Sequence, residues 1–458
     1  MLRPRKALLL LAATTIVTHA WASDYQPGEV IVKYKNGATR LRSVMNDIYS
    51  TVGVKEVKRE GMMKGFEHLI LNETTNVEET IAKLRQDPLV EYAQPNYILY
   101  ALPVETVATA TDSFKVVNGI PCIFPGIPFP PGCEDEEEPN KKRPDVGTRP
   151  GEVNPPVADP DLSKAYGLGK IKAQEAWAIH KGNSNFVVAD IDTGIDYNHE
   201  DLAYNVWRNP TPSEKNDVVG FDFIHNDGLP FDDNGHGTHT AGTIGAVGGN
   251  GIGISGVAPK VSIMSLKFLS GSGSGTTTDA IRAIDYAINH GAKVLSNSWG
   301  GRGDPDNQAL FEAIERAKAK DVLFVAAAGN SSADNDGSEA SYPAAFTNEN
   351  MFSVAATDEQ DGLAYFSNYG KKTTHVGAPG ARVYSTIPGN KYKANSGTSM
   401  ACPHVAGAAA LVWSYHPEWN FKQVKEALMK SVDPLPALKE KTVTGGRINV
   451  LKALAATE

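Results

Sequence analysis

Five short runs, Phe186 to Ile191, Val261 to Leu266, Ala292 to Ser296, Val322 to Ala328 and Met351 to Ala356, are apolar almost throughout. They lack the polar alternation of a strand that shows one face to water. Among and after them lie segments of helical character, Thr277 to His290, Asn307 to Lys320 and Pro403 to Tyr415. Buried strands separated by helices predict a doubly wound α/β domain over residues 161–458, a mostly parallel sheet with helices on both faces. Ligands of such sheets bind at the carboxyl ends of the strands, so polar residues just after an apolar run are the candidates for chemistry.

The chain before residue 161 is patterned differently. Glu29-Val30-Ile31-Val32-Lys33-Tyr34-Lys35 alternates like a half-buried strand, Val77, Ile81 and Leu84 fall at helical spacing, and Leu89 to Tyr92 resumes an extended pattern after Asp87-Pro88. This order predicts a separate small α+β unit over residues 23–102. Between Leu102 and Pro160 fall 12 of the 28 prolines, an acidic run Glu134-Asp135-Glu136-Glu137-Glu138 and a basic Lys141-Lys142-Arg143. Little apolar surface and many fixed φ angles predict an extended, exposed linker over residues 103–160, with the acidic run solvated. At the start, Arg3, Arg5 and Lys6 precede an apolar run ending at Val17, and Ala20-Trp21-Ala22 supplies the small residues of a cleavage site. Residues 1–22 therefore read as a secretory signal peptide, and the run is shorter than the roughly 20 apolar residues a membrane span requires.

Composition adds little. A net charge of -9 without a basic stripe argues against a nucleic-acid surface. Of the three cysteines, Cys122 and Cys133 could close a small disulfide loop in an oxidising compartment, which leaves Cys402 over.

Three polar clusters follow apolar runs. Ile191-Asp192-Thr193-Gly194 ends a buried strand in a carboxylate, Asp233-Asn234-Gly235-His236-Gly237-Thr238-His239 is a glycine-rich loop entering a helix, and Gly397-Thr398-Ser399 leads into a helix with Pro403 in its first turn. A serine hydroxyl is a poor nucleophile without a base to take its proton, and an imidazole base needs a third group to fix its tautomer and steady its charge. Carboxylate, imidazole and hydroxyl can meet in one crevice from these three places. Taken singly, each is weak: Asp-Thr-Gly without a second copy lacks the dyad of an aspartic protease, and His236 and His239 lack the glutamate of a zinc H-E-x-x-H helix.

Read together, Ile191-Asp192-Thr193-Gly194-Ile195-Asp196, Asn234-Gly235-His236-Gly237-Thr238-His239-Thr240-Ala241-Gly242 and Gly397-Thr398-Ser399-Met400-Ala401-Cys402-Pro403-His404-Val405-Ala406-Gly407 resemble the subtilisin-like (subtilase) family of serine endopeptidases. Their chain order, Asp, His, Ser, is that of subtilisin. The resemblance covers about Tyr166 to Ala453 and implies Ser399 as nucleophile, His236 as base and Asp192 as the orienting carboxylate. It also implies Asn330, after Ala326-Ala327-Ala328-Gly329, as a side-chain donor to the oxyanion. Substrate would pair with Ser298-Trp299-Gly300 as an added strand, Gly271 to Gly275 forming the opposite wall, and the pocket for the residue before the cleaved bond would lie between Ser298-Trp299-Gly300 and Ala327-Ala328-Gly329. No acidic residue stands in these segments, so an apolar or broad preference is expected.

The segment from Val247 to Ile254 resembles the family's calcium loop. It implies structural calcium held by the carbonyls of Gly248, Ile252 and Ile254, the Asn250 side chain and Asp201. Glu29 to Lys35 and Val90 to Tyr97 look like the family's inhibitory propeptide. The implied protein is a secreted serine endopeptidase, extracellular or periplasmic. It is expected to be monomeric, with polypeptide substrates and its own propeptide as partners and with neither nucleic acid nor a membrane span. The departures are the intervening linker, Pro103 directly after Leu102, which hinders cleavage there, and Asp190, an acidic residue where the family has an apolar one, read as structural and satisfied.

Overall fold

The computed structural model describes residues 25–35, 48–59, 65–102, 116–117, 120–121, 143–302 and 305–456. The signal peptide expected at 1–22, and Cys122 and Cys133, lie outside them. The N-terminal unit is an antiparallel sheet of β1 (Tyr25–Tyr34), β2 (Val54–Lys58), β3 (Phe66–Leu71) and β4 (Val90–Ala101), with α1 (Val77–Leu84) between β3 and β4. Val77, Ile81 and Leu84 are the buried stripe of α1, and Asn76 caps it by accepting from Glu79 N at 2.8 Å. Val30, Val32, Leu69 and Leu71 pack with that stripe, whereas Ile31 and Phe66, one residue out of phase, join a core belonging to the second unit.

The second unit runs β5 (Val187–Asp192), β6 (Gly220–Asp222), α2 (His236–Gly245), β7 (Ser262–Lys267), β8 (Ser274–Thr276), α3 (Thr277–Asn289), β9 (Val294–Asn297), β10 (Trp299–Arg302), α4 (Gln308–Ala319), β11 (Leu323–Ala327), β12 (Ser341–Tyr342), β13 (Met351–Thr357), β14 (Val376–Pro379), β15 (Val383–Ile387), β16 (Lys391–Asn395), α5 (Thr398–Tyr415), α6 (Phe421–Lys430), β17 (Asp433–Pro434) and β18 (Gly446–Arg447). Nine strands form one sheet in the order β17-β18-β14-β13-β11-β9-β5-β7-β6, parallel except where β17 meets β18. Successive residues alternate between two cores. Val188, Val294, Leu323 and Val325 face α2 and α5, while Ala189, Ile191, Leu295, Phe324 and Ala326 face α3 and α4. Both faces are covered, which is why these runs show no polar phase. The chain builds β6 and β7 on one side of β5 and then crosses to β9 on the other, so the carboxyl end of β5 is the switch point of the sheet.

The helix after Gly397 differs from expectation. It begins at Thr398 rather than near Pro403, which sits in its interior. Proline has no N–H to give the carbonyl four residues back, and that carbonyl, Ser399 O, accepts instead from Ser298 Oγ at 3.0 Å. Apolar and small on nearly every side, α5 is buried from Thr398 to Trp413 through the middle of one core. Truncating its fully buried Leu411 to alanine is expected to cost about 2–5 kcal/mol, read as a lowered urea midpoint of inactivated protein.

Candidate active site

β5 directs two buried carboxylates, Asp190 and Asp192, to the α2 side. Asp192 Oδ1 accepts from His236 Nδ1 at 2.7 Å and from Thr193 N at 2.7 Å. His236 opens α2 because Gly235, at φ 104°, turns the chain in the left-handed region. Gly237 lets the Gly194 carbonyl come close, since a Cβ there would stand 2.1 Å from that oxygen. A buried third carboxylate, Asp232, welds the two loops. Its Oδ1 accepts from Thr193 Oγ1, Asn234 N and Gly235 N, and its Oδ2 from Thr238 N and Thr238 Oγ1. Fully buried Lys267, at the end of β7, donates through Nζ to Thr193 O, Leu269 O and Asp233 Oδ1 at 2.9, 2.8 and 2.7 Å. Neither residue stands out in the motifs, although a lysine closing an apolar run and a carboxylate four residues before His236 were visible signals.

Burial alone would disfavour a charged His236, but the charge and hydrogen bond of Asp192, with Asp232 beyond, outweigh it and raise the imidazole above its ordinary value. Asp190, expected to be satisfied, has the Thr240 hydroxyl on one oxygen and the Ser296 hydroxyl close by. Thr240 Oγ1 donates to its Oδ2 at 2.8 Å, while Oδ1 has no hydrogen-bond partner among the described residues. Burial first and the charge of Asp192 second push its pKa well up, favouring the neutral acid.

Ser399 is the second residue of α5. Asn330 stands beyond the end of β11, and its Oδ1 accepts from Thr398 N and Thr398 Oγ1, both at 2.8 Å, while Gly329 N donates to Thr398 Oγ1 at 3.1 Å. Thr398 therefore fixes the plane of the Asn330 carboxamide. Ser399 Oγ donates to Ser298 O at 3.2 Å and lies 3.5 Å from Leu102 O, and His236 Nε2 has no hydrogen-bond partner among the described residues. The hydroxyl thus lies against the end of the N-terminal unit, with no hydrogen bond to the imidazole.

That end is held as an added strand. Tyr100 and Ala101 pair antiparallel with Gly300 and Trp299 of β10, and Ile98, Leu99 and Tyr100 pair antiparallel with Thr276, Gly275 and Ser274 of β8. Leu102 N donates to Ser298 O at 3.2 Å and Ala101 N to Gly273 O at 2.8 Å. Leu102 is buried in the apolar core that includes Ala327. Ser298, Gly300 and the segment Gly271 to Gly275 border the tail through backbone, and Ala328 and Gly329 follow Ala327 at the end of β11. The Trp299 side chain, by contrast, is fully buried, with its ring centroid 4.8 Å from that of Phe268. Two side chains of the N-terminal unit also cap helices beneath the tail. Asn96 Oδ1 accepts from Thr278 N and Oγ1 at the start of α3, and Gln94 Oε1 accepts from Ala309 N at the start of α4.

Residues 183–448 match the family model of the subtilases, more than half of the chain. The chain belongs to the subtilase family. Residues 12–96 of this subtilase match the fervidolysin N-terminal prodomain, a match that begins inside the segment read as a signal peptide. It is 41% identical to thermitase of Thermoactinomyces vulgaris over 292 residues, 64% of this chain and 96% of that protein. It is 34% identical to a thermophilic serine proteinase of Bacillus sp. (strain AK1) over 414 residues, 90% of this chain and 83% of that protein. To subtilisin E of Bacillus subtilis it is 39% identical over 267 residues, 58% of this chain and 65% of that protein. The protein is a subtilisin-like serine endopeptidase with a prodomain.

The segment expected to be a calcium loop is held together by hydrogen bonds to two buried carboxylates. Asp201 Oδ2 accepts from Ile254 N at 2.9 Å and from the Tyr392 hydroxyl at 3.1 Å, and Asp201 Oδ1 accepts from Asn250 Nδ2 at 2.9 Å. Asp159, which the motifs did not indicate, accepts from Gly249 N, Asn250 N, Gly251 N and Ser255 Oγ. Neither carboxylate has a basic partner among the described residues, and burial, with the charge of Asp159 adding, pushes Asp201 up to about 7. No three His, Cys, Asp or Glu side chains gather into a metal-binding group among the described residues, so a cation here would draw on backbone carbonyls. Two buried carboxylates without a counter-charge beside a carbonyl-rich loop fit such a cation, provided the Asn250 amide turns its oxygen inward, because that oxygen now accepts from Ile252 N. His239 is turned away from His236's partners. Its Nε2 lies 3.1 Å from both Val383 O and Lys393 O, and burial lowers it to about 3.

A neutral carboxyl and a carboxamide carry the same charge, so Asp190→Asn is expected to leave the acid-side inflection of kcat/KM in place, above pH 6.5 where the raised His236 loses its proton. Asp192→Asn removes the charge that raises the imidazole and should move that inflection down while activity falls by about 10⁴, the loss reported for the equivalent change in a serine protease. Both are read from pH–rate profiles on a peptide substrate.

Proposed function

We propose that this subtilase is made as a prepro-enzyme, exported through a signal peptide at 1–22, and hydrolyses peptide bonds through an acyl-enzyme. The observation that supports this reading most is the tail at 98–102, clamped between β8 and β10 with the Leu102 carbonyl beside Ser399 Oγ. A substrate strand in that place presents its carbonyl carbon to Ser399. His236 Nε2, buried and otherwise unoccupied among the described residues, takes the hydroxyl proton as Ser399 attacks and later delivers it to the leaving amine. Asp192 holds the tautomer with Nδ1 protonated and steadies the imidazolium. The oxyanion forms between Ser399 N at the helix start and the Asn330 carboxamide, whose plane Thr398 fixes. Water then attacks the acyl-enzyme along the same path.

In this reading residues 23–102 act as an intramolecular inhibitor. Leu102 is buried in the apolar core that also includes Ala327, which in this reading favours substrates with an apolar residue before the cleaved bond. Calcium would be held by Asp201, the Asn250 oxygen, the carbonyls of Gly248, Ile252 and Ile254, and Asp159. It would supply charge neutralisation rather than chemistry.

Ser399→Ala is expected to abolish both peptide hydrolysis and labelling by a serine-directed phosphonate, and retained hydrolysis would refute the assignment. Asn330→Ala should lower kcat by about 10²–10³ with KM little changed, the loss found for such a donor in a subtilisin. Added calcium should raise the melting temperature above that in EDTA, and Asp201→Asn should remove most of that difference. Equal melting temperatures with and without calcium would exclude the site.

A further inference from the structure

Residues 143–160 resemble a discarded spacer in composition, yet they are stitched to the catalytic unit. Arg143 enters an acidic nest on the loop after β6. Its Nη1 donates to Asp222 Oδ2 at 2.6 Å, Asp227 Oδ1 at 3.1 Å and Leu229 O at 3.0 Å, and its Nη2 to Asp227 Oδ2 at 2.5 Å. The Asp222 side chain is 0% exposed. Its other partners are the Ile224 and His225 amides and the His225 ring, so among the described residues Arg143 is the permanent cation that compensates it. A buried carboxylate stripped of its guanidinium is strongly destabilising.

The contacts continue down the segment. The Tyr197 hydroxyl donates to Pro144 O, Asn198 Nδ2 to Asp145 O, Gly147 N to Asn198 Oδ1, and Arg149 Nη2 to Val206 O. Val157 N and Asp161 N then donate to Gly249 O and Gly253 O, and the Asp159 carboxylate closes the 249–255 loop. The segment starts on the loop before α2 and ends on the loop after it, so it spans both ends of the helix that carries His236.

We propose that residues 143–160 stay with the catalytic unit after the prodomain leaves, as an N-terminal strap pinned by Arg143, and that maturation cuts the chain before Arg143 and not after it. This rests on the reading of the chain as a processed zymogen. Lys141-Lys142-Arg143 looks like a basic processing signal, but its last side chain is sequestered and Pro144 follows it.

Mass spectrometry and N-terminal sequencing of the matured enzyme should find a first residue at or before Arg143, and a first residue at Pro144 or later would overturn the proposal. A second measurement does not depend on processing. In the full-length Ser399→Ala protein, Arg143→Gln is expected to lower the melting temperature by about 5 °C or more and to release the Gly147 amide, bonded to Asn198 Oδ1, to hydrogen exchange. Lys142→Gln in the same background should change neither. If the two variants behave alike, the strap is refuted. If Ser399→Ala chains mature normally, self-processing fails instead, and the exchange comparison still decides the strap.

Discussion

The buried hydrogen bond from His236 to Asp192 is the constraint around which the site is arranged. It places a carboxylate at the end of a central parallel strand, buried from the surface. Its neighbours respond to that carboxylate in different ways. Asp190, two residues back on the same face, is pushed toward the neutral acid by burial and by the charge of Asp192. Asp232 is held by five donors, and the buried Lys267 ties the Asp192 turn to the loops on either side. The price of burying charge is thus spread over a network, which is why no single neighbour of the pair can be judged alone.

The second organising feature is that β4 belongs to two structures at once. On one edge it completes the antiparallel sheet of the prodomain, and at its end it becomes the strand between β8 and β10. Folding of the small unit therefore presets an extended backbone of the right direction for the cleft. Asn96 and Gln94 add hydrogen bonds to the first amides of α3 and α4, groups that any helix leaves unsatisfied. Docking of the tail uses the main-chain pairing that, in the proposed function, would bind a substrate. The tail needs no special chemistry, only register.

Much of this was legible along the chain. Five apolar runs without alternation gave the covered parallel sheet, because a strand buried on both faces has no polar phase to show. Asp192, His236, Ser399 and Asn330 were legible because each follows a strand or opens a helix at the carboxyl edge of that sheet, within motifs long enough to exclude coincidence. The extent of α5 was not, since Pro403 ordinarily marks a first turn and it is the hydroxyl of Ser298, between β9 and β10, that takes up the carbonyl an interior proline leaves free. The state of Asp190 was not legible either, because satisfaction of a buried carboxyl depends on which hydroxyls the neighbouring elements bring.

By itself, then, the sequence determined the class of the sheet, the motif residues of the site and the division into a small α+β unit and a large α/β unit, since these rest on local periodicity and short-range spacing. Tertiary structure alone decided which carboxylates lie together, that Thr398 orients Asn330, that the tail at 98–102 lies between β8 and β10, and that Arg143 is bound to Asp222 and Asp227. These are contacts between residues far apart in the chain, and their free energy depends on burial and mutual distance, which no local pattern encodes.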